Sequence, residues 1–162
     1  MEIWEAIRDD KPLDKIKLLI DSGANIETKS IFDCTALTHA CRYGYTETVK
    51  LLIDSGANLE AKNNDGWTAL MYACWYGHTE TAKLLIKSGA NIEAKDRNGW
   101  TALIYACRNG HTEIAKLLFQ QYKTEESLKV LILTLSTTSK AYPFAIEELK
   151  RRCYGTMGSC SS

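Results

Sequence analysis

The chain has no net charge: 20 Lys and Arg are balanced by 20 Asp and Glu among 162 residues. That balance removes any global electrostatic pull toward nucleic acid or an anionic membrane surface. No apolar run approaches the ~20 residues that a membrane-spanning helix needs. The first residues show no basic stretch followed by an apolar one. The cytoplasm is therefore the expected compartment, with secretion by a route that needs no such signal as the exception. Gly-x-Ser-x-Gly is missing, and so is a Gly-rich phosphate loop of either standard pattern. The six Cys include no Cys-x-x-Cys, and the three His form no His-x-x-x-His. Zinc is not expected from such spacing. No catalytic, cofactor or metal site is expected. The basic run Lys150-Arg151-Arg152 is too short to serve as a nucleic-acid site.

What the chain does have is a clock. Gly-Ala-Asn occurs at Gly23, Gly56 and Gly89, so 56−23 and 89−56 both give 33. Thr-Ala-Leu begins at Thr35, Thr68 and Thr101, in the same register. A third marker surrounds Gly44, Gly77 and Gly110. Such a period means stacked supersecondary units, none of which buries its apolar face alone. One unit shows the pattern. Asn64-Asp65-Gly66 is turn chemistry. Thr68 is placed to cap a helix in which Leu70, Ala73 and Cys74 share a face. Gly77 ends it, Thr79-Glu80 begins a second helix with Thr79 as its cap, and Gly89 stops that one in a left-handed turn.

These residues resemble the ankyrin repeat, a two-helix unit after a β-turn. The resemblance rests on Asp65-Gly66-Trp67-Thr68-Ala69-Leu70, Gly77-His78, Leu84-Leu85 and Gly89-Ala90-Asn91, and again on Asn98-Gly99-Trp100-Thr101-Ala102-Leu103, Gly110-His111 and Leu117-Leu118. It implies an all-α solenoid of four repeats, at about 1–29, 30–62, 63–95 and 96–122. There are departures. Ala36, Ala69 and Ala102 stand where the family usually has Pro, and Thr38, Met71 and Ile104 where it has His. Together these changes lose a helix-starting Pro and a capping-type hydrogen bond, which should leave each repeat somewhat less rigid. Phe32-Asp33 replaces the Gly-containing turn and should distort it.

The ends differ from the middle. The first unit begins directly with helix: Ile3, Trp4, Ala6 and Ile7, then Leu13, Ile16, Leu18, Leu19 and Ile20. Its loop, Asp9 to Pro12, is one residue longer. This is the appearance of a terminal cap. Beyond Phe119 the clock stops. Residues 123–152 read as a further helix pair that caps the stack, completing a single domain over 1–152, and 153–162 as a flexible tail. The core should contain Leu37, Leu52, Leu70, Leu85, Leu103 and Leu118 with the periodic Cys41, Cys74 and Cys107. Free Cys packs there as a small hydrophobe. Cys34, Cys153 and Cys160 are the thiols expected at the surface, and His39 should be a partly buried surface residue. By the resemblance, His78 and His111 have structural roles.

The resemblance implies a non-enzymatic adaptor, monomeric, that binds a protein on the concave face lined by turns and first helices. The residues that vary between units mark that face: Phe32 and Arg97 in the turns, Trp67 and Trp100 before the Thr, and Arg42-Tyr43, Trp75-Tyr76 and Arg108-Asn109 at the helix ends. Trp, Tyr and Arg dominate protein–protein hot spots. Trp67 and Trp100 could equally staple neighbouring repeats together. The alternative is a regulator or secreted effector whose C-terminal helices carry the activity, with the repeats as a targeting platform. Removal of residues 123–162 separates the readings. A cap should be missed, so the truncated chain should aggregate or melt lower; unchanged melting of a monomer would show that the segment is not a cap.

Overall fold

The computed structural model describes residues 1–121. The helix pair expected over 123–152 and the tail 153–162 lie outside the described residues. Eight helices follow one another: α1 (Ile3–Arg8), α2 (Leu13–Asp21), α3 (Ala36–Tyr43), α4 (Thr46–Asp54), α5 (Ala69–Tyr76), α6 (Thr79–Lys87), α7 (Ala102–Arg108) and α8 (Thr112–Gln121). No strand occurs among the described residues. The first helices α1, α3, α5 and α7 pack side by side, and α2, α4, α6 and α8 form a second row against them. The all-α repeat solenoid is therefore observed.

The clock residues explain the local geometry. After each second helix a Gly takes a left-handed φ, 85° at Gly23 and Gly56 and 91° at Gly89. The following Ala packs inward at Ala57 and Ala90. The Asn then closes a short turn on itself, its Oδ1 accepting the backbone N–H two residues on, 2.9 Å from Glu27, Glu60 and Glu93 in turn. Repeats are stitched by the same Glu residues: Glu27 Oε1 accepts the Asn58 N–H at 2.8 Å, and Glu60 Oε1 accepts that of Asn91 at 2.8 Å. Because these carboxylates occupy backbone donors of the next unit, they fix register rather than decorate a surface.

Three expectations need correction. The Phe32-Asp33 turn is not distorted. Asp33 adopts φ 62°, close to the 83° and 78° of Gly66 and Gly99, and donates to Ser30 O at 2.8 Å as Gly66 does to Asn63 O at 3.0 Å. Asp tolerates the left-handed region better than most residues, and Lys29 Nζ holds its carboxylate at 2.8 Å. The loss of the usual His does not strip every helix of its cap. Thr35 and Thr68 accept the N–H of Thr38 and Met71, and the Met71 sulfur in turn accepts the Thr68 N–H at 3.4 Å. Of the Thr-headed first helices α3, α5 and α7, only α7 lacks this device; its Thr101 hydroxyl is buried without a partner among the described residues. Thr79 is the first residue of α6 rather than its cap, and His78 at the cap position makes no side-chain cap bond.

The six predicted Leu are all sealed in the core, together with Cys41 and Cys74. Burial pushes both thiols well above their ordinary range. Cys107 is only half-buried, against expectation; α5 packs against the helix of Cys41 and α7 against that of Cys74, whereas no later helix among the described residues covers α7. Its thiol is still pushed up by burial, to about 12. Cys34, expected at the surface, is buried, its sulfur 3.5 Å from the Tyr72 hydroxyl. Cys153 and Cys160 lie outside the described residues. At the N-terminal end, α1 buries Ile3, Ala6 and Ile7 while Leu13 and Leu18 of α2 face outward. The one-residue-longer loop is real: Lys11 N–H bonds Ala6 O as Tyr45 N–H bonds Ala40 O, yet Ile16 then matches Val49.

First helices are locked to one another by histidine. The ring of His78 lies against Gly44 with Nε2 3.1 Å from Arg42 O, and that of His111 against Gly77 with Nε2 3.0 Å from Trp75 O. Each imidazole thus reaches a carbonyl at the end of the preceding unit's first helix, a group with no partner inside its own helix. A Cβ on Gly77 would stand 2.5 Å from the His111 ring, whereas one on Gly89 would meet nothing within 4 Å. Both glycines have positive φ. Gly89→Ala should therefore lose only backbone strain, roughly 1–2 kcal/mol, and Gly77→Ala about 2 kcal/mol more through overpacking and the lost bond. Urea midpoints measure this; equal losses would show that the imidazole nest is not a stabilising joint.

Candidate functional site

The residues singled out by their variation lie on the side formed by turns and first helices. Their supports come from the turn. In the fourth unit the Asp96 carboxylate is buried; Oδ1 accepts the N–H groups of Asn98 and Trp100, each at 2.8 Å, and Oδ2 accepts the Tyr105 hydroxyl. In the third, Asn63 Oδ1 accepts from Asp65 at 2.9 Å and Trp67 at 2.8 Å, and its amide donates to the Tyr72 hydroxyl at 2.9 Å. Burial and the bond to Asp96 hold the Tyr105 phenol in its neutral form. The turn is thereby tied to the first helix, and the indole after it is aimed along the stack.

Those indoles converge. Trp67 lies 4.4 Å from Tyr105, 5.1 Å from Tyr72 and 5.5 Å from Trp75, centroid to centroid, and Trp75 and Trp100 lie 5.5 and 5.4 Å from Tyr105. Such tilted contacts stabilise beyond the area they bury, by about 0.5–1.5 kcal/mol each. Trp67, Trp75 and Trp100 are all half-buried. Trp67 bridges two repeats and Trp75 is its neighbour, so both combine a packing role with a partly open edge.

Phe32, Tyr43 and Tyr76 are exposed, as are Arg42, Arg97, Arg108 and Asn109. Asn109 also donates to Trp75 O at 2.8 Å, which makes it a second tie between units. The Arg42 guanidinium stands 6.0 Å over the Tyr76 ring and that of Arg108 4.8 Å over Trp100. Ile31, missed from the sequence, is 86% exposed beside Phe32. The period did carry that signal: positions 64 and 97 are Asn64 and Arg97, so Ile31 is the apolar outlier of its column.

His39 is another departure from expectation. It is buried, stacked 5.7 Å from Trp4 and 6.4 Å from Tyr43, and neither ring nitrogen has a hydrogen-bond partner among the described residues. Its equivalents Tyr72 and Tyr105 point hydroxyls at the turn; a His ring is too short for that and stays in the aromatic stack. Burial first, then the charges of Arg42 and Arg8, lower its pKa to about 4.

Among the described residues no three His, Cys, Asp or Glu converge as a metal site, and no helix is long and apolar enough to cross a membrane. Helix pairs repeating at one period, joined side by side through carbonyl-bound histidines and presenting a row of aromatic and Arg side chains, define a helical-repeat solenoid. The chain belongs to the ankyrin repeat family: the model described as ankyrin repeats (3 copies) matches residues 3–96, and a second, ankyrin repeats (many copies), matches residues 76–119. Ankyrin repeats indicate a protein-interaction module. No curated protein matches the chain.

The depressed pKa of His39 has a definite sign in stability. The unfolded chain takes up its proton near pH 6.5, the folded chain only near pH 4. The full stability is thus present above about pH 6.5 and declines as pH falls toward about 4. His39→Phe keeps a ring in the stack and removes the proton site. Urea unfolding at about pH 7 and about pH 5 should show a smaller loss for the variant than for wild type; an identical loss would assign the acid sensitivity to other groups.

Proposed function

We propose that the chain is a non-enzymatic adaptor that binds a protein partner on the concave side of the stack, across the turns and first helices. The carrying observation is where the exposed apolar surface lies. The exposed aromatics Phe32, Tyr43 and Tyr76, with Ile31, all lie on that side; of the second row only α2, in the N-terminal unit, exposes large hydrophobics, Leu13 and Leu18. Large aromatic side chains are not left in water at no cost, and their clustering on one side marks an interaction surface. Arg42, Arg97, Arg108 and Asn109 supply the polar rim, with the open edges of Trp67, Trp75 and Trp100 between them. The rival reading, in which residues 123–152 carry the activity, concerns a segment outside the described residues.

The best single test is Tyr76, because Trp75 is tied into the core-side cluster and its loss would disturb folding as well. Tyr76→Ala should weaken capture of the endogenous partner about thirtyfold, equivalent to about 2 kcal/mol at a hot spot. Its melting should stay within about 0.5 kcal/mol of wild type. Undiminished capture with unchanged melting would move the binding surface elsewhere.

A further inference from the structure

Charge is sorted between the two rows of helices. The first helices of the three repeats read ALTHACRY, ALMYACWY and ALIYACR: no Asp, Glu or Lys occurs in any of them. Their charges are Arg42 and Arg108 alone. The second helices, TETVKLLID, TETAKLLIK and TEIAKLLFQQ, mix both signs. The first helices of these repeats therefore carry Arg as their only charge, while the turns beside them carry both signs. The Arg position, though not the absence of acids, recurs in the first unit: the Ala6–Lys11 bond matches Ala40–Tyr45 and so aligns Arg8 with Arg42, while α1 also carries Glu5. One column therefore runs Arg8, Arg42, Trp75, Arg108.

Each Arg of the column lies over an aromatic ring: Arg8 over Trp4 at 5.4 Å, Arg42 over Tyr76 at 6.0 Å, Arg108 over Trp100 at 4.8 Å. Arg8 is already matched by Asp9 at 2.8 Å. Arg42 and Arg108 have no carboxylate within ion-pair distance among the described residues. Of the Asp residues in the three turns, Asp33 is engaged by Lys29 and Asp96 by its turn and Tyr105, and Asp65 is exposed. A guanidinium resting over a ring still has N–H donors for a carboxylate and loses less freedom when one takes it bidentately.

The geometry points to a reader of acidic protein segments: Arg42 and Arg108 each accept a partner carboxylate, and the Trp75–Tyr76 edge between them accepts an apolar side chain. This rests on the proposed adaptor function and names the chemistry of its partner. Arg42 and Arg108 are two repeats apart, roughly 20 Å at the 8–10 Å spacing of packed helices. An extended segment covers each repeat with about three residues. The matching pattern is therefore carboxylate, apolar, carboxylate, at about i, i+3 and i+6. Nucleic acid fits less well. Single-strand binding needs many phosphate contacts and open stacking faces, whereas here two unpaired Arg flank rings already tilted against one another.

The test is selection of displayed random peptides on the immobilised full-length chain, followed by anisotropy with the synthesised winners. Winners should carry Asp or Glu on both sides of an aromatic or aliphatic residue. Their affinity should fall at least tenfold for Arg42→Glu/Arg108→Glu, less for Arg42→Gln/Arg108→Gln, and recover when the peptide's acids are changed to Lys. Melting curves of each variant confirm that the stack is intact. Winners without acidic residues that Tyr76→Ala still weakens would overturn the acidic reading and leave the adaptor function standing. No winner sensitive to either the Arg or the Tyr76 change would remove both. An oligo-dT strand or a phosphopeptide competing with the same Arg dependence would reassign the two Arg to phosphate.

Discussion

A helix carbonyl has to find a donor, and in this stack it finds one in the next repeat. The last carbonyls of a first helix have no partner inside their own helix. Arg42 O and Trp75 O are met by the imidazoles of His78 and His111, which come close enough only because Gly44 and Gly77 have no side chain. That joint ties α3 to α5 and α5 to α7; at the junction of α1 with α3, Tyr45 stands at the His position. The joint brings successive first helices into parallel register, aligns the 33-residue columns, and sets Arg42, Trp75 and Arg108 in one line. The other lateral bonds, through Glu27, Glu60 and the turn backbones, repeat the same logic at different heights of the unit.

Much of this was legible from spacing. Helix order, the turn positions, the Leu core and the longer loop of the first unit all follow from residues whose role is local: a Gly at left-handed φ, an Asn closing its own turn, a Thr at a helix start. What escaped depends on side chains from neighbouring repeats. His39 is buried because Trp4 and Tyr43 sandwich it, and no property of His39 itself announces that. Cys34 is covered by Tyr72, which comes from the next unit. Met71 caps with sulfur, an acceptor too weak to be assumed from sequence. The aromatic columns looked like a single class, yet Tyr76 stands in water while Trp75, one residue earlier, turns toward Trp67 and Tyr105. Adjacent positions on a helix point about 100° apart, and only the packed neighbour decides which of them is sheltered.

The candidate face therefore has two layers. Trp67, Trp75, Trp100 and Tyr105 form a fixed platform, held from beneath by the Asn63 and Asp96 turns. Tyr43, Tyr76, Arg42 and Arg108 form the exposed layer beside it: Tyr43 stacks on His39 and Tyr45, Tyr76 on His78, Arg42 lies over Tyr76, and Arg108 rests on the platform ring of Trp100. Pre-ordering of that kind reduces what a partner must immobilise on binding. Under the proposed function it also separates roles: a change in the platform should alter shape and stability together, and a change in the exposed layer should alter recognition with little effect on the fold.

The platform has a spectroscopic consequence. The four Trp of the chain fall into two places: Trp4 at the first unit, against His39, and Trp67, Trp75 and Trp100 together in the third and fourth units. Contacts in a stack run only between neighbours, so its ends open before its middle. The indole emission of this protein is thus a two-position gauge. Light from Trp4 reports loosening at the N-terminal end, and light from the clustered three reports the third and fourth units, without any label being attached.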